Sequence, residues 1–220
     1  MNKKAIDLEE LYRRYAAGER DFPGVDLSHA NLNVAKAEEL ADLEPGQNDL
    51  SGINLSGANL TRANLSLVNL SGANLSDAQL YDASLSGANL SGANLHKVHM
   101  NSSTFLERSD LSGASLNEAD MEGANFEGAN LEGANLSFSM LMGANFRGAN
   151  LTRVVTQETV LVNAILEEAN LTNAEIAMST ISGTNFRGAI FKNTNFVECN
   201  FHETIWQNGK VITDANPWGE

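Results

Sequence analysis

From Asn54 to Leu75 the chain repeats itself every five residues: Asn54-Leu55-Ser56-Gly57-Ala58, Asn59-Leu60-Thr61-Arg62-Ala63, Asn64-Leu65 and onward. A large apolar residue returns at each fifth position, with a small one two places before it. This unit runs through most of the 220 residues. Neither regular element tolerates that period. Five residues advance about 140° on an α-helix, so the leucines would wind over every face. On a straight strand the odd spacing would throw successive leucines to opposite faces. They all stay inside only if the chain turns about once per repeat. Ala58 and Leu60, two apart, then point the same way from a short extended piece. The Asn, Ser/Thr/Glu/Arg and Gly positions suit outward corners. The expected shape is a solenoid of short sides whose stacked coils satisfy one another's backbone polar groups.

The A(N/D)LXX unit, covering about residues 22–32 and 50–206, resembles the pentapeptide-repeat family, in particular cyanobacterial members with an N-terminal helical cap. That resemblance implies an all-β solenoid: a right-handed quadrilateral β-helix, four repeats per coil, about eight coils at this length. The sequence offers a check on four repeats per coil. At a spacing of twenty, Phe126, Phe146, Leu166 and Phe186 share one side. One residue on, Glu127, Arg147, Glu167 and Arg187 alternate in sign. Such exposed cross-strand pairs stabilise by about a few tenths of a kcal/mol each.

Three parts are expected along the chain. Residues 1–21 hold an N-terminal helix over 6–17, with Asp7 as N-cap, Glu10 completing a capping box, Ile6 and Leu11 as staple, and Gly18 ending it. Leu8, Leu11, Tyr12 and Tyr15 give it an apolar face, which suits a cap over the first coil or a partner-binding helix. Residues 22–206 form the solenoid. It is interrupted by an excursion at 33–48, where Ala35–Ala41 reads as a short helix and Pro45-Gly46 as a turn. That excursion reads as a solvated loop or as a binding loop. Central residues run from Leu50 to Phe105 in fives and resume at Leu111, placing a one-residue insertion within 106–110. Thr156 stands where Leu is expected, in a β-branched run that favours a regular strand; its buried hydroxyl needs a partner, expected from the nearby backbone. Phe186, Phe191, Phe196 and Phe201 fill the last coil, and residues 207–220 read as a hairpin or tail, with Asn208-Gly209 suiting a type I′ turn.

Composition narrows the classes. Mean hydropathy is −0.23, and no apolar run approaches the ~20 residues of a membrane span. The first residues turn acidic at once and do not resemble a secretory signal. The single cysteine, Cys199, excludes an internal disulfide and sits at a small interior position. A cytoplasmic protein is expected. The formal charge of −14 argues against direct nucleic-acid binding, which needs positive charge to displace counterions.

No catalytic set is visible. His96 and His99 are expected on adjacent sides without further ligands, so no metal or cofactor is expected. The glycines are corner residues rather than a phosphate loop. The chain therefore reads as non-enzymatic. Two outward features depart from the polar habit of the repeat. Tyr81, Met142, Val160 and Val162 map to one side, with Phe138 and Met178 at the corner leading into it, a candidate partner surface. Glu107, Asp110, Glu118, Asp120, Glu122, Glu127 and Glu132 form an acidic band near mid-rod.

The leading function is a structural or interaction scaffold presenting side-chain ladders to a protein partner, as a monomer or weak homo-oligomer. The family resemblance adds two alternatives. One is mimicry of duplex DNA to inhibit an enzyme such as gyrase; the other is a cyanobacterial regulatory protein acting through protein contacts. Residues 51–204 carry 15 acids against 7 bases. Duplex DNA as long as a roughly 40 Å rod would carry about 24 negative charges. The chain has about a third of that density.

Overall fold

The computed structural model describes residues 4–33 and 48–212. Parallel β-bridges join residues twenty apart, from Asp49↔Asn69 to Gln79↔His99 and again from Phe105↔Asn125 onward. Four five-residue sides close each coil, and the coils stack into a right-handed quadrilateral β-helix. The sides are numbered here by their central residues: side 1 from Leu50, side 2 from Leu55, side 3 from Leu60 and side 4 from Leu65. The central residues and the Ala two places before them fill the interior, and both rows are buried.

One repeat shows why the pentad folds this way. Ala58 N donates to the Leu55 carbonyl at 3.0 Å across Ser56-Gly57. Gly57 stands at φ 63°, the left-handed third position that a type II turn requires. Leu55 N donates onward to Asn74 O at 2.7 Å, and Gly57 N to Ser76 O at 2.7 Å. Each coil thus supplies the acceptors for its neighbour. The asparagine closes the unit on both sides. Asn54 Oδ1 accepts from Ser56 N at 3.1 Å and from the Asn74 side chain at 3.2 Å, so one amide fixes its own corner and the stacking register.

The ends are covered differently. Strand β1 (Lys4–Ala5) pairs in parallel with β2 (Val25–Asp26), and helix α1 (Leu8–Ala16) follows β1. Leu11 is fully buried; Tyr12 Oη donates to Leu32 O and Tyr15 Oη to Ser51 O, both at 2.8 Å. Asp7 caps the helix by accepting from Glu10 N at 2.7 Å. The Glu10 carboxylate instead takes Arg13, so the expected capping box is made in one direction only. Asn33 and Asn48 are buried, and the Asn48 amide donates to Asn33 Oδ1 at 3.1 Å. The body of the expected excursion, residues 34–47, lies outside the described residues.

At the other end Phe186, Phe191, Phe196, Phe201 and Trp206 form one aromatic cluster, with Phe191 and Trp206 rings 4.7 Å apart. The strand Thr204–Ile205 then turns back antiparallel on Val211–Ile212. Only Gly209 in that loop is left-handed, at φ 79°. Gly209 N donates to Trp206 O and Trp206 N to Lys210 O, both at 2.8 Å. This is a turn followed by a left-handed residue, not the expected type I′ turn, which needs two positive φ angles.

Side 2 becomes a regular sheet where the β-branched run begins. Strands β3 (Val155–Gln157), β4 (Glu175–Ala177) and β5 (Asn195–Val197) pair in parallel, Thr156 facing Ile176 and Ile176 facing Phe196. The expected partner for Thr156 is absent: its Oγ1 is buried without a hydrogen bond. It lines a cavity of about 10 Å³ with Leu136, Phe146, Leu161 and Ile176. The shorter side chain leaves space, and its own carbonyl neighbours lie out of reach.

The insertion also falls elsewhere than within 106–110. Leu106 is fully buried and Phe105 is 41% exposed. Bridges change offset between Gln79↔His99 and Ser84↔Phe105, so the added residue lies at Asn101. Thr104, not Ser103, takes the small interior place and donates to Leu80 O at 2.8 Å.

Candidate partner-binding face

Side 3 carries the inserted residue and, with the corner before it, three neighbouring exposed apolar residues, Phe138, Met140 and Met178. Asn101 is held there by its own amide, which donates to Asp82 Oδ1 at 2.8 Å, while its Oδ1 accepts from Asp82 N and Ser103 N at 3.1 Å each. The Asn101 amide, with Arg62 behind it, holds the Asp82 carboxyl below its usual range. The bulge leans on the next coil. A Cβ added at Gly123 would stand 2.8 Å from Ser102 Cβ, and Gly123 is also left-handed at φ 69°. Below the bulge a shallow groove of about 430 Å³ is lined by Asn101, Ser102, Asp120, Glu122, Met142 and Asn163.

The apolar residues follow directly. Asp120, Met140, Val160 and Thr180 form one bridged row. Gly123 N donates to Met142 O and Gly143 N to Val162 O, both at 2.9 Å, which sets Met142 and Val162 in the parallel row. Met140, Met142, Val160 and Val162 thus form a two-by-two block. Met140 was not among the residues expected from sequence, because it fills the slot that the repeat gives to Asn or Asp; that substitution was the available signal. Tyr81 stands apart from the block. It stacks on His99 with rings 6.3 Å apart, and the Asn101 bulge and Glu122 lie between it and Met142.

Phe138 and Met178 occupy the corner between sides 2 and 3, 47% and 43% exposed. Their backbones are left-handed, at φ 63° and 49°. A residue with a Cβ is disfavoured there by about 1–2 kcal/mol. The whole corner shares this habit: Asp77, Lys97, Glu118, Phe138, Glu158, Met178 and Glu198 all have positive φ where glycine serves elsewhere. Phe138 N donates to Gln157 O at 2.7 Å, Glu158 N to Ala177 O at 3.0 Å and Met178 N to Val197 O at 2.7 Å, so these side chains form one column along the rod.

The acidic band is a collar. Glu107 and Glu127 lie on side 4, Asp110 and Glu132 on side 1, Glu118 at the corner after side 2, and Asp120 and Glu122 on side 3. Several are occupied. Glu107 accepts from Ser86 Oγ and Asn125 Nδ2 at 2.7 Å each, Asp110 from Asn130 Nδ2 at 3.0 Å, and Glu132 pairs with Arg153. Glu118 faces Lys97 at 3.3 Å. The alternating charges on side 4 are in register, but among the described residues only the Arg147–Glu167 step closes, at 3.1 Å.

His96 Nδ1 is engaged by Asn117 at 2.8 Å, and among the described residues no three His, Cys, Asp or Glu could share a metal. Cys199 Sγ donates to Ile176 O at 3.3 Å, and burial raises its pKa. No helix among the described residues is long and apolar enough to cross a membrane.

The geometry defines a quadrilateral β-solenoid whose side 3 carries a one-residue bulge. The chain belongs to the pentapeptide-repeat family: the pentapeptide repeats model matches it in 8 copies, from 49–87 through 179–205. A search of curated proteins gives no match. Among solved structures, QnrB1, a plasmid-mediated fluoroquinolone resistance protein, aligns with TM-score 0.60 and 17% identity, covering 88% of this chain and 91% of that one. HetL, involved in heterocyst differentiation regulation in the cyanobacterium Nostoc sp. strain PCC 7120, aligns with TM-score 0.47 and 22% identity over 94% of this chain and 100% of its own. A second Nostoc PCC 7120 pentapeptide repeat protein, alr5209, is 31% identical over 62% of this chain and 84% of its own, with TM-score 0.36. The first of these supports the fold alone.

Proposed function

We propose that the protein is a non-enzymatic cytoplasmic scaffold that binds a protein partner through side 3 and the corner before it. The observation that carries this reading is exposed Phe138 and Met178 in left-handed backbone beside exposed Met140 and half-buried Met142, Val160 and Val162. Nothing in the fold requires a bulky apolar side chain at such a corner, where glycine is less strained. A contiguous apolar area on an otherwise polar rod marks a contact surface. Replacing Met142 and Val162 with Ser is expected to abolish partner association, measured by sedimentation and affinity capture against the wild type. Unchanged association in both assays would remove the reading. Mimicry of duplex DNA fits less well, since the carboxylates ring the rod and several are already paired. DNA supercoiling by gyrase is expected to proceed uninhibited in excess protein.

A further inference from the structure

Resting on that reading of the face, we infer that its occupant is a cationic amphipathic α-helix of a partner protein, lying along the rod at the corner between sides 2 and 3. The column there alternates carboxylate and apolar: Glu118, Phe138, Glu158, Met178, Glu198, one residue per coil. Glu118 is shared with Lys97 one coil back at 3.3 Å, Glu158 and Glu198 have no cationic partner among the described residues, and between Glu118 and His202 no lysine or arginine stands on sides 2 and 3. The apolar block at Met140 and Val160 widens the contact on one flank. Such a surface is complementary to apolar residues interleaved with positive charge.

Spacing selects the helix. Successive rungs are about 4.8 Å apart. A helix presents one face every turn, about 5.4 Å. A strand laid along the rod would present one face about every 6.7 Å and lose register within two rungs. From Glu118 to Glu198 is four steps, about 19 Å, matched by about 13 helical residues. Basic and apolar residues at alternate turns would then meet carboxylate and apolar rungs in order.

The test uses the full chain and synthetic peptides of about 15 residues. One carries lysine and leucine at alternate turns of one face, a second has glutamate for lysine, and a third is the lysine peptide with a central proline. Fluorescence anisotropy should show binding of the first only. Glu118→Gln/Glu158→Gln/Glu198→Gln should weaken it about tenfold. Glu127→Gln/Glu167→Gln/Glu168→Gln, which removes equal charge from side 4, should change it by less than about twofold. Equal weakening by both triples, equal binding of the proline peptide, or no binding of the first peptide would overturn the assignment. These results are separable from the face itself. If Met142→Ser/Val162→Ser still abolishes partner association while the peptides are not distinguished, only the helix is wrong. If it leaves association intact, the face is wrong.

Discussion

Sides 4 and 1 and sides 2 and 3 share a backbone, a core and a repeat, yet they treat their outward positions differently. The corner after side 1 is glycine from Gly52 through Gly133, and that after side 4 includes Gly87, Gly128, Gly148 and Gly188. Their carboxylates are mostly engaged: Glu107 by Ser86 and Asn125, Glu132 by Arg153, Glu167 and Glu168 by Arg147. On sides 2 and 3 the corner from Asp77 to Glu198 has no glycine. Asp120, Glu122 and Glu158 meet no cation among the described residues. Sides 4 and 1 also expose Leu67, at φ 63°, and Phe105, Ile165 and Ile190, but singly and apart. Sides 2 and 3 gather Phe138, Met140 and Met178 around one left-handed corner beside unneutralised Glu158, a grouping that stability alone does not explain. In a repeat protein whose core is uniform, the outward positions that cost stability are the ones that carry information about function.

The sharpest contrast pits a phenylalanine inside side 4 against one outside side 2. Phe146 stacks on Phe126 at 4.8 Å and 8°. Phe146→Ala should destabilise by about 3–5 kcal/mol in denaturant melts. Gly123→Ala comes next. It adds a Cβ against the Ser102 bulge in a left-handed backbone, and a loss of about 2–3 kcal/mol is expected by the same measurement. Thr156→Val removes the orphan hydroxyl while keeping the shape, so the unfolding free energy should rise by about 1–2 kcal/mol. The smallest change tests the comparison most directly. Phe138→Gly should stabilise by about 1 kcal/mol while weakening partner association. A destabilised Phe138→Gly variant would mean that the ring serves the fold, and sides 2 and 3 would lose their distinction.

How much was legible depended on what the repeat constrains. Phe126 and Phe146 could be stacked from their spacing of twenty alone, because the bridges fix that offset. The strand at Val155 was legible from β-branching. The insertion was not. Phe105 and Leu106 are both large and apolar, and Ser103 and Thr104 are both small, so either register satisfies the local pattern. The fold chose Leu106 because Thr104 then reaches the Leu80 carbonyl while Asn101 holds Asp82. Met140 left a local signal, an apolar residue in the slot of Asn or Asp, but its meeting with Val160 depends on a residue twenty positions away.

The sequence by itself determined the period, and with it the interior, because a residue every five positions can be buried only by a chain that turns once per repeat; the four sides came from the family resemblance, which the ladder at a spacing of twenty supports. Only the tertiary structure decided which outward residues meet. Met140 is bridged to Val160 one coil on, and Phe138 stands in one column with Met178 two coils on, with Glu158 between them. The placement of one extra residue at Asn101 buries Leu106 and turns Phe105 outward. A one-residue shift reverses which side chains face water, and no local pattern at Asn101 fixes it.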